Sequence, residues 1–381
     1  MRILFVVTED WYFLSHRLPS ARAAASLGLD IVVATHVDQM AQRIRALGYE
    51  VVDLGDIRTK RGFFHHLDLI RRLVQVLRAT RPDIVHNVAL EMCVLGTVAA
   101  MLAGMPCVIN TVAGLGWIAR TVRGKLVFLG IASLFWLSSW RKAYLFVCQN
   151  QDDLSLFKRF VRRTENIVKV IGSGVDVSKF QTTPLPEEAA PLVACVARLL
   201  VSKGIYDLVE AARILKDKGV KCRIALIGGS DFGNPDGVPE DLLRQWNARK
   251  EIEWWGERSD IETIWKEATI AVLPSYREGL PKSLLEAAAC GRPLIATDVP
   301  GCRELVLPEV NGLLVALRDP VALASAIERL VGDRGLCQRM GTASRTMVET
   351  KCSDEHVTAA MRQVYQRALA AAGKPLLPSA P

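Results

Sequence analysis

"TIAVLPSYREGLPKSLLEAAACGRPLIATD" spans residues 269–298, and its reading decides the fold. An apolar run of strand length, 269–274, stops at Pro274. A turn of six residues follows. Pro281 then opens a helix, where a missing N–H costs nothing, and "KSLLEAAAC" continues it to Gly291, with Pro293 beyond. A second apolar run, "PLIATD" (293–298), resumes as a strand. Strand, helix and strand in this order form a parallel βαβ unit.

The same alternation extends outward in both directions. In the first half, "ILFVV" (3–7), "DIVVAT" (30–35), "EVVDL" (50–54), "DIVHN" (83–87), "CVINT" (107–111) and "YLFVC" (144–148) read as buried strands. Amphipathic stretches such as 67–80 lie between them. "FQTTPLPEEAAP" (180–191) breaks the pattern as a linker. The pattern restarts with "LVACVAR" (192–198), "RIALIGG" (223–229), "IEWWG" (252–256), the opening stretch and "GLLVA" (312–316). The sequence thus predicts an α/β protein of two Rossmann-like domains facing each other across a cleft. Their expected bounds are 1–180 and 192–372, with a linker at 181–191 and a disordered tail at 373–381.

Composition agrees with this. A chain of 381 residues, half of them hydrophobic, is long enough for two α/β cores. The nine cysteines are odd in number and include no C-x-x-C pair, which argues against a disulfide scaffold or zinc ribbon. They read as small apolar groups in a reducing cytosol. "MRILFVV" has no basic n-region and reads as a core strand, not a signal peptide.

Chemistry is concentrated in the opening stretch. The start of the helix at Pro281, with Lys282 and Ser283 in its first turn, suits a phosphate. Glu286 lies about 6 Å along the helix from Lys282, a reach that fits the hydroxyls of a ribose. Glu278, in the turn with Gly279 and Leu280, can accept hydrogen bonds from whatever the phosphates carry. Such a carboxylate needs compensating cations, and "VARLLVSKG" (196–204) supplies Arg198 and Lys203 after the first strand of the same domain. A lone glutamate in a turn is usually just solvated. Four such residues in one half read instead as a nucleotide-sugar clamp.

The pair Glu278 and Glu286, Arg198 with Lys203, "GSGVD" (172–176) and "DVPGCRELV" (298–306) resemble the retaining family 4 glycosyltransferases of the GT-B fold. The resemblance implies a donor bound mainly by the second domain and no essential metal or cofactor beyond the nucleotide sugar. It also implies that Glu278 orients the donor sugar, Glu286 holds the ribose, and Arg198 and Lys203 stabilise the diphosphate.

"VVTEDWYFLSHRLPSARAA" (6–24) and "NTVAGLGWIA" (110–119) are similar to bacterial transferases that act on polyprenyl-diphosphate-linked saccharides. Ala113 stands where many family members carry a histidine. His16 and Arg17, near the carboxyl end of the first strand, would face the acceptor or donor diphosphate. His86, at the end of "DIVHN", would point toward the cleft, and Gly114 and Gly116 lie in the "AGLG" loop that resembles the lipid-linked branch. For His86, a structural role and a catalytic one both stay open at this level.

The net charge of +8 is uneven. Between Arg120 and Arg163 nine basic residues face two acidic ones, which leaves +7. An anionic membrane surface or nucleic acid could take that charge, and the apolar stretch inside the window favours the membrane. "LVFLGIASLFWLSSW" (126–140) is uncharged but about 22 Å long as a helix, short of a ~30 Å hydrocarbon core. It reads either as a core helix or as an interfacial one. In the second case Arg120, Arg123, Lys125, Arg141 and Lys142 collar it, and Phe128, Phe135, Trp136 and Trp140 face lipid.

The sequence-level expectation is a UDP-sugar-dependent transferase, peripheral on the inner face of the plasma membrane. It would move a hexose or N-acetylhexosamine to a polyprenyl-diphosphate saccharide. The main competitor is a sugar-nucleotide epimerase of the same architecture. The first strand is not followed by G-x-G-x-x-G, which argues against the further alternative of a dehydrogenase.

Overall fold

Alternating residues of the first strand are buried on both sides, as a sheet covered on both faces requires. Ile3, Phe5 and Val7 face one layer, and Leu4 and Val6 face the other. The computed structural model describes residues 1–57, 62–112, 122–231 and 234–375, without the side chains of residues 63 and 122–125. Two compact units emerge, Met1–Gly174 with the chain from Glu355 onward, and Val175–Asp354.

The sheet of the first unit contains β1 (Arg2–Glu9), β2 (Asp30–His36), β3 (Glu50–Asp53), β4 (Ile84–Val88), β5 (Val108–Val112), β6 (Tyr144–Cys148) and β7 (Ile167–Lys169). Its order is β3-β2-β1-β4-β5-β6-β7, with every pairing parallel. One face packs on the helix Phe63–Thr80 through Leu69, Leu73 and Leu77. The other packs on the helix Asp354–Ala371 through Met361, Val364, Tyr365 and Ala368.

The sheet of the second unit contains β8 (Leu192–Val196), β9 (Arg223–Ile227), β10 (Glu253–Trp254), β11 (Ile270–Leu273), β12 (Leu294–Thr297) and β13 (Gly312–Val315). Its order is β10-β9-β8-β11-β12-β13, again all parallel. Both sheets are therefore doubly wound, as the alternation predicts. The strand missed by the sequence reading, β7, is three residues long and is too short to show a pattern.

The unit boundaries differ from the expected ones. The first unit ends at Gly174, between two glycines with positive φ (79° at Gly172, 81° at Gly174). Residues 181–191 do not form a linker: two arginines strap them to the second unit, and a third holds the residues just before them. Arg345 donates to the carbonyls of Phe180 (2.7 Å) and Val177 (3.3 Å), and Arg292 donates to that of Thr183 (3.0 Å). Arg334 donates to those of Leu185 and Pro186 at 2.7 Å each. Proline and glutamate made the stretch look unattached, but side chains 150 or so positions further on claim its carbonyls. The last helix, assigned by sequence to the second unit, returns to the first because its apolar stripe fits the uncovered face of that sheet. Of the supposed tail, 373–375 are ordered: the Lys374 amide donates to the Leu369 carbonyl at 3.0 Å, and its ammonium contacts Asp83. Residues 376–381 lie outside the described residues.

Candidate functional site

In the second sheet β8 and β11 are neighbours at its centre, and the chain leaves them in opposite directions. At such a switch point the loops after the two strands separate and leave room for a ligand. The loop after β8 carries Arg198 and Lys203. The loop after β11 carries Glu278.

Backbone bonds hold these two loops side by side. The Tyr276 amide donates to the Ser202 carbonyl at 2.8 Å, and the Ser275 hydroxyl donates to the same oxygen at 3.2 Å. Gly204 is essential to the approach. Its φ is +70°, and a Cβ there would lie 2.0 Å from the Pro274 carbonyl oxygen. Gly301 supports the turn from the other side, where a Cβ would lie 2.4 Å from the Gly279 oxygen and 2.8 Å from that of Glu278. Arg318 lies 5.1 Å from the Tyr276 ring centroid, and Asp207 lies close enough to couple electrostatically to both. Burial raises the pKa of both the Asp207 carboxyl and the Tyr276 phenol.

This scaffold places the Lys203 ammonium 2.5 Å from the Glu278 carboxylate. Both are mostly covered, at 21% and 9% side-chain exposure. Arg198 is more open (58%) and pairs with Asp231 at 3.5 Å. The helix Lys282–Ala289 begins just after the Glu278 turn, with Pro281 as its N-cap rather than its first residue, and ends at Cys290 before Gly291 in the left-handed region. Leu280 is buried, while Lys282 and Ser283 are partly exposed in the first turn. One turn on, desolvation pushes the Glu286 carboxyl up to about 7, against the opposing pull of Lys282 and Lys179; nearby Glu262 adds to the rise. Lys179 and Glu262 themselves pair at 3.3 Å. Cations, a helix N-terminus and two carboxylates, one of them proton-sensitive near neutrality, thus follow the carboxyl ends of β8 and β11. Such a set can hold a diphosphate and accept bonds from the hydroxyls on either side of it. The glycines and Ser275 were missed by the sequence reading. Their role is to allow backbone contact, and only the partner loop reveals that.

The first unit corrects two assignments. His86 does not point outward: it is fully buried, its Nδ1 2.9 Å from the Tyr365 hydroxyl and its Nε2 2.7 Å from that of Thr111. It pairs in register with Phe5 of β1, so it shares the face covered by the last helix. Burial holds its pKa well below the ordinary value. Phe135 is likewise wholly buried, against Phe146 (5.2 Å) and Phe157 (5.9 Å).

The helix Val122–Ser138 is apolar on both faces. Ile131 and Phe135 face the core, one turn apart, and Phe128 packs partly against Phe160 at 5.7 Å. Leu126, Leu129, Trp136 and Leu137, with Trp140 just beyond, are 45–68% exposed. Exposed Arg141 and Lys142 follow them in the chain; exposed Lys158 and Arg159 precede Phe160 and Arg162, whose guanidinium sits 3.6 Å from the Trp140 ring centroid. Gly114, Gly116 and Arg120 lie outside the described residues, as do the side chains of Arg123 and Lys125. Among the described residues, no helix is long and apolar enough to cross a membrane.

Residues 190–333 match the family described as glycosyl transferases group 1, and residues 2–139 match the family described as glycosyl transferase 4-like. The N,N'-diacetylbacillosaminyl-diphospho-undecaprenol alpha-1,3-N-acetylgalactosaminyltransferase of Campylobacter jejuni is 30% identical, across 94% of this chain and 96% of its own. The UDP-Gal:alpha-D-GlcNAc-diphosphoundecaprenol alpha-1,3-galactosyltransferase of Escherichia coli is 28% identical, across 69% and 70%. Among solved structures, Anabaena Alr3699/HepE in complex with UDP and glucose superposes with a TM-score of 0.75 at 19% identity, covering 97% of this chain and 99% of its own.

Proposed function

The chain belongs to the retaining family 4 glycosyltransferases of the GT-B fold, and from that premise we propose that it moves a hexose or N-acetylhexosamine from a UDP-sugar to a saccharide on a polyprenyl diphosphate. The observation that carries the donor half is the covered Lys203–Glu278 pair at the switch point, with the helix Lys282–Ala289 beside it. Lys203, Arg198 and the helix dipole supply positive charge for a leaving diphosphate, Glu286 accepts from the ribose, and Glu278 faces the sugar. In the reaction the bond from the anomeric carbon to the phosphate oxygen breaks. The acceptor oxygen bonds that carbon from the same face, and the departing phosphate oxygen takes its proton. The protein's part is positioning and charge stabilisation.

The acceptor half draws on the two relatives named for undecaprenyl-diphosphate sugars and on the exposed apolar stripe of the helix Val122–Ser138. That stripe, with its tryptophans and neighbouring arginines and lysines, suits the anionic inner leaflet of the plasma membrane. There the enzyme would act peripherally in assembling a cell-surface polysaccharide.

The test is to incubate the purified protein with a panel of UDP-sugars and polyprenyl-diphosphate saccharides, following transfer and epimerisation in parallel. An α-linked product on the lipid acceptor is expected. A β-linkage from an α-linked donor would overturn retention. Epimerised nucleotide sugar with no transfer would overturn the transferase reading itself.

A further inference from the structure

The first sheet has its own switch point. β1 and β4 lie side by side at its centre, and the chain leaves them toward β2 and β5 on opposite sides. After β1 comes the short helix Asp10–His16, then Arg17, which caps the helix Leu18–Ala25. Arg17 is 3% exposed, which is unusual for a cation. Among the described residues its Nε has no hydrogen-bond partner. Its Nη2 reaches the hydroxyl of the partly exposed Tyr12, at 3.4 Å, and its guanidinium lies 5.7 Å from that ring's centroid.

Among the described residues, no carboxylate forms an ion pair with Arg17. Asp10, the buried acid one helix earlier, accepts from the backbone amides of Trp11 (2.7 Å), Asp38 (2.8 Å) and Met40 (3.1 Å) instead. The groups that feel the Arg17 charge are His86, Cys93 and Tyr365. Burial keeps all three neutral, lowering the imidazole's pKa and raising those of the thiol and the phenol. The helix that follows has no acidic residue in its first turn, so its dipole adds further positive potential.

A desolvated cation among neutral groups calls for a counter-charge. This one stands where doubly wound sheets take their ligands. The Nε and Nη2 edge of a guanidinium is the edge that grips two phosphate oxygens at once. We infer that Arg17 is a binding residue for a phosphoryl group of a diphosphate-bearing substrate, an anion seat that the first unit supplies beyond Arg198 and Lys203 of the second. Which substrate brings the phosphoryl group, lipid acceptor or nucleotide sugar, rests on the transferase reading. The seat itself does not.

The test compares wild type with Arg17→Gln and Arg17→Lys. Calorimetric titration with inorganic pyrophosphate is made on protein saturated with UDP and in parallel on ligand-free protein, because a phosphoryl group borne by the nucleotide would itself fill the seat. Wild type should bind pyrophosphate, and both variants should bind it at least about tenfold more weakly. With no counter-anion to lose, Arg17→Gln should melt no lower than wild type in the absence of ligand, whereas a structural arginine would lower the melting temperature. In transfer assays a rise in the acceptor KM alone assigns the phosphoryl group to the lipid substrate. A rise in the donor KM alone assigns it to the nucleotide. If Arg17→Gln does not fold, the folded Arg17→Lys variant with its single-point charge still decides. Unchanged pyrophosphate affinity and unchanged KM values in either variant would overturn the inference. If wild type shows no transfer at all, the ligand-free titration decides: pyrophosphate binding that depends on Arg17 would still support the seat while the transferase reading falls.

Discussion

Cutting the Lys203–Glu278 pair one partner at a time, and then both together, should show how strongly the two are coupled. The ammonium and carboxylate lie 2.5 Å apart with little solvent around them. At an effective dielectric of about 20, their gross attraction is about 7 kcal/mol. Removing two ions from water offsets most of that, leaving a net coupling of about 2 kcal/mol. Lys203→Ala strands a covered carboxylate and should destabilise the second unit by about 3 kcal/mol. Glu278→Ala strands the ammonium, which is better solvated, and should cost somewhat less. The double variant should be less destabilised than the sum of the two by about 2 kcal/mol in urea unfolding. With UDP bound, the coupling should shrink, because Lys203 then also faces the diphosphate. Glu278→Gln keeps an oxygen for the ammonium, so it should fold normally yet lose transfer by roughly 10²-fold or more in kcat. Additive single effects, within about 0.5 kcal/mol, would mean that the pair is not held in the ligand-free protein. Glu278 would then not pre-position Lys203.

Glu286 sets a pH dependence. Its folded pKa of about 7 lies above the ordinary 4.5, so between those values the folded protein holds a proton that the unfolded chain has released. Stability should therefore fall as pH rises through that window, by up to about 3 kcal/mol, and Glu286→Gln should flatten the slope in pH-resolved melting. UDP affinity should change in the opposite sense, tightening as the carboxylate ionises; calorimetry that finds no such change would remove the ribose contact. Gly301→Ala should displace the Glu278 turn, since its Cβ would lie 2.4 Å from the Gly279 oxygen. A fall in kcat of about 10²-fold, with UDP binding much less affected, is expected from such a displacement. Replacing Trp136, Leu137 and Trp140 by Ser, or Arg141, Lys142, Lys158 and Arg159 by Gln, should release the protein from anionic vesicles in flotation assays. Each cation is worth about 1 kcal/mol near the surface, and high salt should mimic the second set alone.

Strand and helix periodicities made two doubly wound sheets legible in the sequence, because a strand covered on both faces leaves a run of apolar residues that composition alone exposes. The residues proposed to hold the donor, Arg198, Lys203, Glu278 and Glu286, were legible for a related reason: they follow a strand or lie in the first turns of a helix, and those positions are local. What the sequence could not supply were contacts between distant segments. The pairing of Lys203 with Glu278 depends on β8 and β11 being neighbours, which hydrophobic pattern does not specify. The roles of Gly204 and Gly301 depend on the backbone each one meets. His86 became a core residue because the last helix, almost 280 positions away, returns to cover its face of the sheet. The same return moved the unit boundary. Arginines 292 and 334 turned an apparent linker into a strap by taking up its carbonyls. The helix at 126–140, open between core and surface in the sequence, proved to be both. A helix that is apolar all round carries no periodicity to show which side the protein covers, and only packing against Phe146 and Phe157 selects it.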